Sequence, residues 1–402
     1  MNKMPKVLLG GSLALLILFN IFNVLNFLFH FVMVRMLTIA DYGVLATLFS
    51  IIYLLAIFSD SIQTVVTRYV AHENNDGKIK NLLKRTLSKS GRVSVLLFVA
   101  YLILSIPLSI FLKISYPLLA LNGVMLITYF LVPITRGALQ GKNKFYSLGA
   151  NMVLEALVKL FISMFLVYMG WRVYGAIFAT VLGSVIAFSW SFVTLKKIFS
   201  SKEMRMEIKG IYSYTPQVFI MIFTVTAFFS LDIIIAKMVF SSEIAGYYAV
   251  ASIISKSIFL VTQPISKAMF PLTVQSSDKK KVHSKIFYNS LALLVPFIAI
   301  ALFLFYFYPE TIVKIFSGRE ILQSAGILFL LGIANGILSI TNIFLFYRLS
   351  VGKKKGHSYF LIFLLVEAVL LFYFSKNLFQ FSVALVTASA IFLWGAVFLL
   401  EK

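Results

Sequence analysis

The sequence predicts an all-α polytopic membrane protein, with about twelve transmembrane helices in two six-helix bundles related by a pseudo-twofold axis along the membrane normal. Three observations predict it. Hydrophobic residues make up 60% of the 402 positions and charged residues only 12%, against about 25% charged in a water-soluble globule. Apolar runs of bilayer-spanning length recur from one end of the chain to the other. The second half of the sequence repeats features of the first in the same order.

A spanning helix needs about 20 mostly apolar residues. Runs that meet this rule lie near 7–34, 42–66, 93–112, 116–138, 147–169 and 173–195, then near 216–238, 246–271, 287–308, 322–347, 358–374 and 381–400. The first begins like a secretory signal, MNKMPKVLLGGSLALLILFN. Its apolar stretch continues to Val34 with no small-residue cleavage site, so it reads as a retained helix. Most of the 36 Lys and Arg, set against 14 Asp and Glu, fall in clusters on alternate sides of these runs. That asymmetry places both termini in the cytoplasm of a plasma or inner membrane. It also accounts for the net charge of +22 without nucleic acid as a partner. The chain has no cysteine, which removes thiol catalysis and Cys–metal sites. No loop is long enough for a soluble catalytic domain. No Walker loop, His–Glu metal motif or GxSxG occurs, so the expectation is a protein that is not an enzyme, with no metal and no organic cofactor.

The repeat is visible in two blocks. IADYGVLATLFS from Ile39 matches IAGYYAVASIIS from Ile244 at five positions of twelve, and RGALQGKNKFYS from Arg136 resembles RLSVGKKKGHS from Arg348. Glu155-Ala156 and Glu367-Ala368 then follow at the same offset. The domain expectation is therefore 1–200 and 201–402, both inserted in the same sense. Bundles duplicated in this way hold a substrate site near mid-membrane.

Polar residues form stripes on otherwise apolar helices. At 100° per residue, Asn20, Asn23, Asn26 and His30 of the first span fall within about a third of the circumference. A single Asn reads as a tie between helices; four such groups in line read as the wall of a polar cavity. The second span carries Ser50, Tyr53, Asp60, Ser61, Thr64 and Arg68 on one face. The eighth carries Ser252, Ser255, Lys256, Gln263, Ser266 and Lys267, and the tenth carries Asn335, Ser339 and Asn342. These are the candidate cavity residues.

Ionisable groups at membrane depth are costly and tend to be paired or functional. Glu155 and Lys159 stand at i,i+4 with the acid first, which predicts a pair. Asp60, Asp232, Lys256 and Glu367 have no well-placed partner in sequence. Lys256 lies about ten residues into its helix, roughly 15 Å deep at 1.5 Å per residue. It needs an anion, either a substrate phosphate or an acid such as Asp232. Arg68 and Arg136 lie at helix ends, where they serve equally well as topology markers.

Three segments resemble a known family. LTIADYGVLATLFSI resembles the Leu-x-x-x-x-Tyr-Gly segment of the polysaccharide-biosynthesis, O-antigen-type flippases of the multidrug/oligosaccharidyl-lipid/polysaccharide exporter superfamily. RGALQGKNKF resembles their Arg-Gly-x-x-Gln-Gly segment, and LDIIIAKMVFSSEIAGYYAVASIISK their helix 7–8 block. The resemblance implies the twelve-helix plan and a V-shaped cavity open alternately to each side, with a lateral gate. It implies a lipid-linked oligosaccharide, on a polyprenyl phosphate or pyrophosphate, as substrate partner beside membrane lipid. A coupling ion, Na+ or H+, and action as a monomer complete the expectation. The rival is an ion-coupled multidrug or cation antiporter of the same superfamily, which predicts a cavity dominated by acids.

Overall fold

The computed structural model describes residues 3–206, 216–275, 280–351 and 359–401; side chains at 3–16, 56–58, 60, 216–218, 271, 274–275, 280–281, 283 and 399–401 are outside the description. Asp60 therefore lies outside the described side chains. The described residues form α-helices and contain no strand. In order these are α1 (Lys3–Met36), α2 (Ile39–Ala71), α3 (Asp76–Leu112), α4 (Tyr116–Gly141), α5 (Phe145–Leu166), α6 (Arg172–Thr194), α7 (Lys196–Ser200), α8 (Pro216–Val239), α9 (Ser242–Gln275), α10 (Lys280–Phe307), α11 (Pro309–Ser317), α12 (Leu322–Ser350), α13 (Phe360–Tyr373) and α14 (Leu378–Glu401).

Among the described residues, nine helical stretches are long and apolar enough to cross a membrane. One of them, Phe145–Thr194, is α5 and α6 joined by a tight π-type turn. Gly170 (φ 89°) and Arg172 (φ 47°) leave the helical region there and reverse the chain. Two shorter apolar stretches, Ile39–Leu55 and Phe360–Tyr373, add to these. The short helices α7 and α11 have no counterpart among the predicted spans. Pro309 at the first turn with Glu310 behind it starts α11, and Gly318 at φ 71° stops it.

Helix α3 shows how one helix serves two environments. Asn75 caps it, its Oδ1 accepting from the Gly77 and Lys78 amides at 2.8 and 3.2 Å. The first turns carry Lys78, Lys80, Lys84, Arg85 and Lys89, while the later turns expose Leu96, Ile103, Ile106 and Ile110. An apolar surface of that extent suits lipid, and the charged half extends beyond it.

Contacts divide the chain into two units. Unit 1 comprises 1–37 and 55–214, and unit 2 comprises 38–54 and 215–402. The stretch 38–54 packs with the second unit. In unit 1, α5 packs on α6 and α1, and α4 packs on α3 and α6. The end of α2, the start of α3, the end of α4 and α7 share a core that includes Val70, Ile79, Leu83, Leu139 and Ile198. In unit 2, α12 lies against α9 and α14, α10 against α9, and α13 against α14 and α8. The first turns of α2 meet α9 at two glycines. A Cβ on Gly43 would lie 2.8 Å from the Gly246 Cα, and one on Gly246 would lie 2.2 Å from the Ile39 carbonyl oxygen. The matched blocks from Ile39 and Ile244 thus touch each other, and that close approach holds 38–54 in unit 2.

Candidate functional site

Among the described residues, each unit contains a chain of buried and half-buried polar groups. In unit 1 the chain crosses α4, α5, α6 and α1. Arg136 donates through Nε to Asn151 Oδ1 at 2.8 Å and through Nη2 to Glu155 Oε2. Ser184 donates to the other Glu155 oxygen at 2.7 Å. Asn151 spends its amide hydrogens on the Ala187 carbonyl (2.6 Å) and Ser191 Oγ (3.1 Å). Lys159 points the other way, donating to Asn26 Oδ1 and lying 4.5 Å above the Phe29 ring. The His30 ring meets Phe29 edge to face.

Close helix approach builds this arrangement. A Cβ at Gly183 would fall 2.8 Å from the Glu155 carbonyl oxygen, so α6 sits near enough to α5 for Ser184 to reach the carboxylate. A Cβ at Gly149 would fall 2.5 Å from the Leu18 side chain, so α1 lies near enough for Asn26 to reach Lys159.

This geometry gives Glu155 a hydrogen-bonded partner beyond the expected Lys159, the guanidinium of Arg136. A guanidinium from the neighbouring helix offers a charge-assisted hydrogen bond of better geometry than a lysine one turn away, so Glu155 takes Arg136. Arg136 is consequently a half-buried ion-pair partner. The short turn at 142–144 predicts that its two flanking helices pack antiparallel, but residues 136 and 155 lie seven and twelve positions from its centre, so spacing along the chain does not single out the pair. Ser184 and Tyr248 were also missed; neither carries an ionisable clue of its own at membrane depth.

In unit 2 the chain centres on Asp232 of α8. Its Oδ1 accepts from Lys256 Nζ at 2.8 Å, and its Oδ2 from Tyr248 OH at 3.0 Å and Ser252 Oγ at 2.8 Å. Tyr248, Ser252 and Lys256 stand four apart on α9, so one helix face delivers all three donors. The Phe229 ring lies 4.8 Å from Lys256 Nζ. Of the two anions considered for Lys256, the structure places Asp232 beside it. The same face continues into α12, where Asn335 donates to Ser255 Oγ at 3.1 Å and Thr262 to Ser339 Oγ at 3.0 Å. Lys256, Asn335 and Asn342 are buried, and these hydrogen bonds join part of the α9 stripe to part of the α12 stripe. Ser50 is likewise buried. Glu367 on α13 is fully buried and lies within electrostatic reach of Asp232 and Lys256.

The remaining stripe residues are more open. Asn20, Asn23, Thr64, Arg68 and Lys267 are exposed, while Asn26, His30, Tyr53, Ser61 and Gln263 are half-buried. The wall of exposed amides on α1 thus leads down to Asn26 and the buried Lys159.

The helices, their apolar outer faces and two buried polar chains define a multi-span membrane protein. Its fold is shared with transporters. A multidrug resistance MATE family transporter of the MOP superfamily, in an inward-facing conformation, aligns with a TM-score of 0.75 at 13% identity, over 95% of this chain and 96% of that one. The lipid II flippase MurJ in an inward closed conformation aligns at 0.71 and 13% identity, over 96% and 88%. A MOP superfamily transporter from Pyrococcus furiosus aligns at 0.54 and 15%, over 99% and 96%. No curated protein sequence matches the chain. Residues 32–325 match the polysaccharide biosynthesis protein family, and the chain belongs to it.

Proposed function

We propose that this protein moves a lipid-linked oligosaccharide, carried on a polyprenyl phosphate or pyrophosphate, across the plasma or inner membrane by alternating access, as a monomer and without catalysing a covalent step. The observation that supports this most directly is the sign of charge in unit 1. Among the described side chains, the chain from Arg136 to Asn26 holds two cations, Arg136 and Lys159, against one carboxylate, Glu155. A surplus cation suits a phosphate, and the exposed amides of Asn20 and Asn23 above it suit sugar hydroxyls. The hydrocarbon tail needs only the lipid that already bathes the outer helix faces.

The plan that accompanies this reading is twelve crossings, six from each half, with both termini cytoplasmic. The stretches that cross would be α1 to α6, α8 to α10 and α12 to α14. Membership of the polysaccharide biosynthesis protein family and a fold shared with a lipid II flippase support it.

The test is translocation of a labelled polyprenyl-pyrophosphate oligosaccharide in proteoliposomes. Lys159→Gln is expected to lower the rate by about 10- to 100-fold, the worth of one charge-assisted hydrogen bond, and Lys159→Arg to retain part of it. Unchanged flipping by Lys159→Gln would remove the assignment of the headgroup to unit 1. The second reading is an ion-coupled multidrug or cation antiporter, favoured by two buried acids of unit 2, Asp232 and Glu367. Proton- or sodium-driven efflux of a lipophilic cation, with no movement of the lipid-linked sugar, would select it.

A further inference from the structure

Unit 2 buries two carboxyls within electrostatic reach of one ammonium, Asp232 on α8 and Glu367 on α13 with Lys256 on α9, and buries a second ammonium, Lys237, further along α8. Their hydrogen bonding is unequal. Asp232 receives three donors, from Lys256, Tyr248 and Ser252. Glu367 is 0% exposed, and neither of its carboxyl oxygens accepts a hydrogen bond from any described residue. Position 155 of unit 1, its repeat equivalent, accepts from both Arg136 and Ser184. Arg348, which stands to Glu367 as Arg136 stands to Glu155 in sequence, donates to neither Glu367 oxygen.

The surroundings supply no other compensation among the described side chains. Helix α8 brings Asp232 and Lys237; Lys237 donates to Ser242 Oγ at 2.7 Å, five residues beyond Asp232 along the chain. Helix α9 brings Lys256, already hydrogen-bonded to Asp232, and Tyr248, whose hydroxyl donates to the same carboxylate. Helix α12 brings Arg348, and the described part of α14, 378–398, has no charged residue. An ionised carboxylate without a donor in a low-dielectric interior costs several kcal/mol. Asp232 and Lys256 neutralise each other, so an ionised Glu367 would leave the cluster one negative charge in excess. A single proton on Glu367 removes that excess.

We infer that Glu367 is a proton-exchange site: it holds a proton in this state and releases it only in a state where water reaches α13. Release breaks the carboxyl O–H bond, leaves the electron pair on Glu367 and passes the proton to water. Rebinding reverses this, so that closing the unit around Glu367 requires uptake of one proton. The link from that proton to substrate movement rests on the transporter reading above; the protonation itself does not.

The experiment is infrared spectroscopy of the purified full chain in lipid at neutral pH. The wild type is expected to show a protonated-carboxyl C=O band that shifts in D2O and on 13C-labelling of glutamate, and that Glu367→Gln removes. The neutral isostere is expected to keep the wild-type melting temperature. Should Glu367→Gln fail to fold, the glutamate-labelling shift in the wild type still decides. Absence of the band, or its persistence in Glu367→Gln, would overturn the inference. A rise in melting temperature with sodium chloride but not choline chloride, lost in Glu367→Gln, would assign a metal cation to the site and overturn it equally. In proteoliposomes, dependence of translocation on a proton gradient is expected to disappear in Glu367→Gln. If no lipid-linked sugar moves at all, the transport reading fails while the infrared result still decides Glu367.

Discussion

At the scale of single residues, the buried ions follow one rule: a charge inside the bilayer is tolerated where another helix brings a complementary group. Glu155 with Arg136 and Asp232 with Lys256 are both cross-helix pairs. Removing one partner strands the other. Arg136→Leu is expected to destabilise the protein by about 3–5 kcal/mol, while Arg136→Leu with Glu155→Leu recovers most of the loss. Thermal unfolding of the two variants in detergent measures this directly. A double variant no more stable than Arg136→Leu alone would mean that the pair contributes through something other than mutual neutralisation. The sequence showed that Glu155, Lys159, Asp232 and Lys256 are unusual where they stand. It set Glu155 beside Lys159 and did not name Arg136, because a helical repeat shows which side chains share a face and not which partners neighbouring helices supply.

At the scale of elements, close contacts decide where whole helices lie. The approach of α2 to α9 at Gly43 and Gly246 leaves no room for a methyl group, because the nearest atoms are backbone. Gly246→Ala is expected to cost about 1–3 kcal/mol as the helices are pushed apart, seen as a lower melting temperature. An unchanged melting temperature would show that α2 is free to shift. The segment 201–206 lies along the charged half of α3. Met204 N–H donates to the Gly77 carbonyl at 3.2 Å, Lys80 donates to the Ser201 carbonyl at 2.8 Å, and Glu203 accepts from Lys84 and Asn81 at 2.8 Å each. The Lys84 hydrogen bond, with help from Asn81, holds the Glu203 carboxyl below its usual range. A carboxyl lowered in the folded state stabilises above its unfolded pKa, and the effect is lost as pH falls through the folded value. Amide exchange at Met204 and Met206, corrected for intrinsic rate, is therefore expected to quicken as pH drops below about 4. Glu203→Gln should show that faster exchange at neutral pH. A pH-independent exchange profile would mean that the carboxylate does not hold this segment.

At the scale of the whole molecule, the distribution of cations predicts the direction of insertion. The absence of native cysteine makes that prediction simple to check. Both probe positions, Lys376 and Arg205, are exposed. Lys376→Cys is expected to react with an impermeant maleimide added outside intact cells, and Arg205→Cys only after the membrane is opened. Labelling of both from outside would reverse or break the proposed topology.

The sequence alone determined the material and its grain. Runs of about 20 apolar residues leave a bilayer as the only solvent that suits them, and helices follow because every backbone group must then be satisfied within its own segment. Asparagine and serine at helical spacing marked which faces are polar, and the matched blocks marked the repeat. Tertiary structure decided what those faces do. Part of the α9 and α12 stripes turns inward and joins by hydrogen bonds from Asn335 to Ser255 and from Thr262 to Ser339, while Asn20 and Asn23 of α1 are exposed. It also decided that Glu155 meets an arginine and Glu367 does not. The repeat gives both acids an arginine at the same distance along the chain, but hydrogen bonds act over about 3 Å, and a glycine or a helix tilt that brings two groups within that reach leaves no periodic trace in sequence.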